Sequence, residues 1–127
     1  MKSSFDLKFE TFSGKYDAVE RALKIVVQGD LKSTTVEALQ RDFSAMLGSE
    51  NVRLADLLVL ELDLRDAAMV DSQGLNLLVT VLKQMKLRVV PVRARVARRA
   101  VYTTLLSVGM ERQLDLVFED GGALSAK

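Results

Sequence analysis

Apolar and polar residues alternate near the start of the chain. Phe5, Leu7 and Phe9 are separated by Asp6 and Lys8, with Thr11 extending the series. Period two with one apolar face predicts a half-buried first strand. Phe12-Ser-Gly-Lys-Tyr-Asp17 holds turn residues and reads as a break. A second strand is expected over Arg21 to Gln28, centred on Ile25, Val26 and Val27 and ended by Gly29-Asp30. Ser33, Thr34 and Thr35 offer hydroxyls for a helix N-cap, with Glu37 just beyond them. Val36, Leu39, Phe43, Met46 and Leu47 then fall on one face of an amphipathic helix ending near Gly48. Leu57 to Asp63 is almost continuously apolar and reads as a central strand buried on both faces. Leu64 to Val70 is a loop, and a second helix is expected from about Asp71 to Lys86. Its core stripe is Leu75, Leu78, Val79, Leu82 and Met85. Leu77 and Val81 lie outside that stripe, which makes the helix more apolar than one buried face requires. Leu87 to Arg93 is the next strand, where Pro91 cannot donate a ladder hydrogen bond and so suggests an edge or a bulge. Ala97, Val101, Leu105 and Val108 mark a last helix closed by Gly109, and Leu114 to Phe118 a short final strand.

The order β-β-α-β-α-β-α-β predicts an α/β fold: a mixed sheet of four to five strands flanked by α-helices and parallel in its later part. Right-handed crossovers put helix N-termini at the C-terminal edge of the parallel strands. Ser33 to Thr35 and Asp71-Ser72 are expected to meet there, on the rim that such sheets use for function. No repeat or linker divides the chain, so residues 1–127 are expected to form one domain, with a flexible tail over about 120–127.

Composition narrows the chemistry. The apolar fraction is 49% and the charged fraction 28%, which is ordinary for a soluble globular domain. With 18 basic and 17 acidic residues, the net charge of +1 points to no polyanionic partner. The sequence has no Cys and no His, which removes disulfides, thiolate nucleophiles, the usual zinc ligands and the imidazole base of a serine triad. No apolar signal-peptide core begins the sequence, and no run approaches the roughly 18 apolar residues of a membrane span. The expectation is a cytoplasmic domain without membrane insertion. Arg93, Arg95, Arg98 and Arg99 form a basic cluster without interleaved aromatics, a weak nucleic-acid signal that reads better as a solvated, salt-bridged face.

Ser72, between Asp71 and Gln73-Gly74, is the residue that stands out. It lies at an expected helix start, where unpaired N–H groups and the positive dipole end favour an anion. Asp71 is a good N-cap, so the Asp-Ser pair is explained either by capping alone or by a phosphorylatable hydroxyl. A nucleophilic role is poorly supported: neither a Gly-x-Ser-x-Gly elbow nor a Ser-x-x-Lys string occurs at Ser72, and no phosphate-binding glycine loop is present. Asp30, Asp63, Asp66 and Asp71 could gather at one rim around Mg²⁺, or serve as strand-end and cap residues. The second reading needs no ligand, and no cofactor or metal is expected.

Three stretches together resemble the STAS domain, and among STAS domains the small anti-sigma factor antagonists of bacteria. They are Gly29-Asp-Leu-Lys-Ser-Thr-Thr-Val-Glu-Ala-Leu39, the segment Leu58 to Leu78 with its Asp71-Ser-Gln-Gly-Leu75, and Val96 to Leu114 with Gly109-Met110. The resemblance covers most of the chain in the family's order. It implies a module without catalysis of its own. Ser72 would accept phosphate from an anti-sigma factor that is also a serine kinase, Asp71 would support it, and a metal-dependent serine phosphatase would restore the hydroxyl. The partner surface it implies comprises Asp30, Lys32, Ser33, Thr34, Asp71, Gln73 and Gly74; the apolar surplus of Leu77 and Val81 either extends it or packs under a neighbouring loop. Three departures stand out. Lys32 occupies a position that is often acidic in the family, Gln73 replaces a second Ser, and the Gly-rich turn before the next strand gives way to Met85-Lys-Leu87. Stand-alone STAS domains also resemble accessory subunits that dock on the ATPase of lipid-transporting ABC systems, which is the alternative reading.

Overall fold

The computed structural model describes residues 4–49 and 56–119. Among these, six strands form one sheet in sequential order: β1 (Ser4–Lys8), β2 (Phe12–Asp17), β3 (Ala22–Val27), β4 (Val59–Asp63), β5 (Val92–Val96) and β6 (Asp115–Phe118). The first two pairings are antiparallel and the next three parallel. Three helices make the parallel crossovers: α1 (Val36–Leu47), α2 (Ser72–Leu87) and α3 (Arg99–Ser107). A 3₁₀ turn at Met110–Arg112 leads into β6. The expected flexible tail at 120–127 lies outside the described residues.

The sheet has one strand more than the pattern predicts, because Phe12–Asp17 is β2 and not a break. Phe12, Gly14 and Tyr16 are its inward positions, so a glycine interrupts an otherwise regular alternation. A Cβ on Gly14 would lie 3.2 Å from the Lys24 carbonyl oxygen and 3.5 Å from Leu7 Cβ, a tight fit between the neighbouring strands. The reversal falls one step later, where Asp17 Oδ1 accepts from the amides of Val19 (2.9 Å) and Glu20 (3.0 Å).

Inward residues of the sheet (Leu23, Ile25, Val27, Leu60, Leu62, Val92, Ala94, Val96) join the buried faces of all three helices in one core. Burial of each large aliphatic side chain contributes roughly 1.5–3 kcal/mol. Among the described residues no helix lies over the opposite sheet face, which is charged. Glu61 lies 3.7 Å from Lys24, 3.9 Å from Arg93 and 3.2 Å from Arg95. Arg93 also pairs with Asp115 at 2.9 Å, and Arg95 pairs with Glu119. The strand read as doubly buried, β4, is therefore central but apolar on one side only, because its other face is neutralised by ion pairs. Arg93 and Arg95 belong to this lattice, while Arg98 is the N-cap residue of α3 and Arg99 lies 5.3 Å from the Phe118 ring centroid.

Pro91 marks neither an edge strand nor a bulge. It precedes β5, which is flanked by β4 and β6, and its carbonyl accepts from the Leu60 amide at 2.9 Å. Its missing N–H therefore falls outside the β5 ladder. Val81, for which the sequence left open an exposed patch or packing under a neighbouring loop, is buried at 5% exposure, and Leu77 is half-buried. Both line a small apolar cavity with Phe12, Leu31, Leu39 and Phe43. The reason is that α2 packs on α1 as well as on the sheet, so it buries two directions where the stripe allowed for one.

Candidate functional site

Two loops meet at the C-terminal rim of β3 and β4. A parallel bridge joins Leu31 to Val70. The Leu31 amide donates to the Met69 carbonyl at 3.1 Å, and the Asp71 amide donates to the Leu31 carbonyl at 3.0 Å. Two aspartates clamp the same loops from opposite sides. Asp30 Oδ1 accepts from the Ala68 amide, and Asp66 Oδ2 accepts from the Gly29 amide, each at 2.7 Å. Gly29 has φ +83°, a left-handed backbone that suits glycine.

Asp71 is the hub. As N-cap of α2 its Oδ1 accepts from the Gly74 amide at 3.0 Å, while Oδ2 accepts from the Ser33 amide at 2.9 Å. One carboxylate thus caps the helix and ties in the neighbouring loop. These amide bonds, Gly74 first and Ser33 second, hold the Asp71 carboxyl below the usual carboxylate range. Gly74 permits this closeness: a Cβ there would sit 2.2 Å from the Leu31 carbonyl oxygen.

The expected cap of α1 takes a different form. Thr35 is the N-cap residue, but its side chain makes no cap hydrogen bond. Its hydroxyl accepts from the Lys32 amide at 3.0 Å and donates to the Asp30 carbonyl at 2.7 Å, closing the loop on itself. Lys32 Nζ lies 3.9 Å from Asp30 Oδ2, so its charge is partly neutralised within its own loop.

The surface left on this rim consists of Ser72, Gln73, Ser33 and Thr34, all exposed. Met69 joins them with 47% exposure, an apolar side chain that the sequence pattern left unmarked. Burial of Ala67 and Val70 on either side turns Ala68 and Met69 outward, an arrangement with no periodic signal in the sequence. Asp66 was noted only as a member of an acidic group, and its clamp on Gly29 becomes visible only once the two loops are side by side. Asp30, Asp66 and Asp71 all bind backbone amides, and Asp63 binds Arg65 through its Nε (2.9 Å) and Nη2 (2.7 Å). Among the described residues no group of three or more acidic side chains is placed to hold a metal ion, and no helix is long and apolar enough to cross a membrane.

Acid is expected to undo these clamps. Asp42 is held below the usual range chiefly by the Thr11 hydroxyl, Asp63 chiefly by Arg65, and Asp71 by the Gly74 and Ser33 amides. A carboxyl depressed in the folded state stabilises above its unfolded pKa, and that contribution is lost as pH falls through the folded value. The melting temperature should therefore stay flat down to about pH 5 and drop below about pH 4. Asp71→Asn should flatten part of that drop. A melting temperature unchanged between about pH 5 and 2.5 would contradict the assignment of these carboxylates as ionised clamps.

The rim and the one-sided sheet define a small α/β module in which two crossover loops meet at one edge. A family model described as the STAS domain matches residues 15–120, and the chain belongs to the STAS domain family. No curated protein matches its sequence. Solved structures share the fold, two of them as follows. One, described as a candidate anti-sigma factor antagonist from Thermotoga maritima, is 14% identical with a TM-score of 0.62, covering 84% of this chain and 87% of that one. The other, an anti-sigma factor antagonist from Mycobacterium paratuberculosis, is 17% identical with a TM-score of 0.63, covering 97% and 91%.

Proposed function

We propose that this chain is a non-enzymatic anti-sigma factor antagonist, which binds an anti-sigma factor with serine kinase activity and is released when Ser72 is phosphorylated. The observation that carries this reading is the contrast between Asp71 and Ser72. Asp71 is engaged within the fold by two amides, whereas Ser72 is exposed and makes no hydrogen bond through its hydroxyl among the described residues. A hydroxyl that does nothing for its own fold, on a rim built with such care for position, suits modification by a partner. The descriptions of the two structural neighbours support the same role. The contact surface would comprise Ser33, Thr34, Gln73 and Met69 around Ser72. Asp30, Asp71 and Gly74 would position it, and Lys32 would tune its charge. A serine phosphatase would reset the switch, and a cytoplasmic location suits such a circuit.

The test is phosphate transfer from the cognate kinase with ATP. The full chain should take up phosphate at a single site, and Ser72→Ala should take up none. Transfer that survives Ser72→Ala would remove Ser72 from its role. Copurification of an ABC ATPase instead of a kinase would replace the antagonist reading with that of a transporter subunit.

A further inference from the structure

The free edge of β1 carries a self-complementary pattern. In the β1–β2 hairpin the Phe9 amide donates to the Phe12 carbonyl at 2.9 Å, and the register pairs Leu7 with Gly14 and Phe5 with Tyr16. Antiparallel ladders alternate hydrogen-bonded and non-hydrogen-bonded pairs. Phe5, Leu7 and Phe9 therefore spend their backbone groups on β2, while Asp6 and Lys8 direct theirs outward. An edge of this kind is open to another strand.

The side chains select the strand. Asp6 and Lys8 are exposed on the helix-free face; Asp6 lies across from Lys15 of β2 and Lys8 across from Ser13, and neither charge is within 4.0 Å of an opposite one among the described residues. Phe5, Leu7 and Phe9 point to the helix side and are only half-buried. If two copies of β1 pair antiparallel about a twofold axis at Leu7, Asp6 faces the partner's Lys8 and Lys8 faces the partner's Asp6. On the other face Phe5 meets the partner's Phe9, and the two Leu7 side chains touch. Shifting the axis to Asp6 or to Lys8 sets like charges opposite each other, and parallel in-register pairing does so at both positions. Opposite charges across a ladder stabilise it and like charges destabilise it.

We propose that β1 is a homodimerisation edge, with a second copy of this chain paired antiparallel about Leu7 so that two sheets join into one. The contact is a single strand wide, so the dimer belongs to the small, concentration-dependent class.

Sedimentation velocity over a concentration series tests the proposal with charge swaps. Asp6→Lys places Lys opposite Lys twice across the axis and should weaken dimerisation roughly tenfold. Lys8→Asp should do the same, and the double variant Asp6→Lys/Lys8→Asp should restore the dimer. Cross-linking provides a second measurement. The chain has no cysteine of its own. Leu7→Cys would form a non-hydrogen-bonded pair with its copy at a Cα separation of about 4.5 Å, within disulfide reach, whereas Phe5→Cys would face Phe9. Leu7→Cys should therefore cross-link under mild oxidant much faster than Phe5→Cys. A wild-type chain that stays monomeric throughout, a swap that fails to restore the dimer, or equal cross-linking at the two positions would overturn the proposal.

Discussion

Gly74→Ala is expected to destabilise the fold by about 2–4 kcal/mol, although alanine is the better helix former by about 1 kcal/mol. The added Cβ would meet the Leu31 carbonyl oxygen at 2.2 Å, and Leu31 C and Cβ at 2.8 Å. Two of these three are backbone atoms and the third is a Cβ fixed to the backbone, so no rotamer change relieves the contact. Either the start of α2 or the Leu31 loop must move. That movement pulls on the Asp71 amide bond to Leu31 (3.0 Å), the Leu31 amide bond to Met69 (3.1 Å) and the Ser33 amide bond to Asp71 (2.9 Å). Each neutral hydrogen bond lost costs a net of about 0.5–1.5 kcal/mol, and forced overpacking about 1–3 kcal/mol. Urea unfolding should show a lower midpoint with an unchanged slope. Amide exchange should speed up first at Leu31, Ser33 and Asp71. Gly48→Ala is the control, since its Cβ would meet nothing nearer than the Ser44 carbonyl oxygen at 3.6 Å. If Gly74→Ala unfolds at the wild-type midpoint, the close approach of α2 to the Leu31 loop is not a determinant of stability.

The residues most important for this rim differ in how far the sequence exposed them. Asp71 and Ser72 were legible because a cap residue before an apolar helix is a local signal, and the structure starts α2 at Ser72. The central position of β4 was legible for the same reason, since a run of aliphatics needs no partner to be recognised. What stayed hidden depends on pairs far apart in the chain. Gly74 reads as an ordinary early-helix glycine until Leu31 is set against it. Thr35 reads as a capping hydroxyl until the Asp30 carbonyl competes for it. In β2, Gly14 breaks the hydrophobic count at a position where a Cβ would lie 3.2 Å from the Lys24 carbonyl oxygen, a closeness that only the strand pairing reveals. Val81 was misplaced because a stripe assumes one buried direction, and α1 supplies a second. At the end of α2 the chain turns back through exposed Val89 at φ +57°, a conformation costing about 1–3 kcal/mol in a β-branched residue, and the Val89 and Val90 amides close the helix on the Lys86 (3.1 Å) and Met85 (2.9 Å) carbonyls.

Ser72→Asp is expected to lower affinity for the proposed anti-sigma factor partner tenfold or more while leaving the melting temperature nearly unchanged. The two effects separate because they act on different sides of the rim. On the inner side, an anion at the first position of α2 meets the positive end of the helix, which favours it by roughly 0.3–1 kcal/mol. Asp71 lies next to it but is already compensated by the Gly74 and Ser33 amides. On the outer side Ser72 is exposed, and Lys32 in the facing loop is partly occupied by Asp30 at 3.9 Å. Against a partner carboxylate at about 4 Å, with an effective dielectric near 20, each like-charge unit costs about 4 kcal/mol before screening. A third of that is already about tenfold in affinity. A phosphate, at about −1.5 to −2 charges, should exceed the aspartate. Ser72→Asn has nearly the size of aspartate without its charge and should bind close to wild type. Lys32→Glu combined with Ser72→Asp should bind more weakly still. Calorimetric titration beside a thermal melt measures both sides at once. Equal losses of binding and of melting temperature would make Ser72 a structural residue, and an Asn variant as weak as Asp would make the block steric.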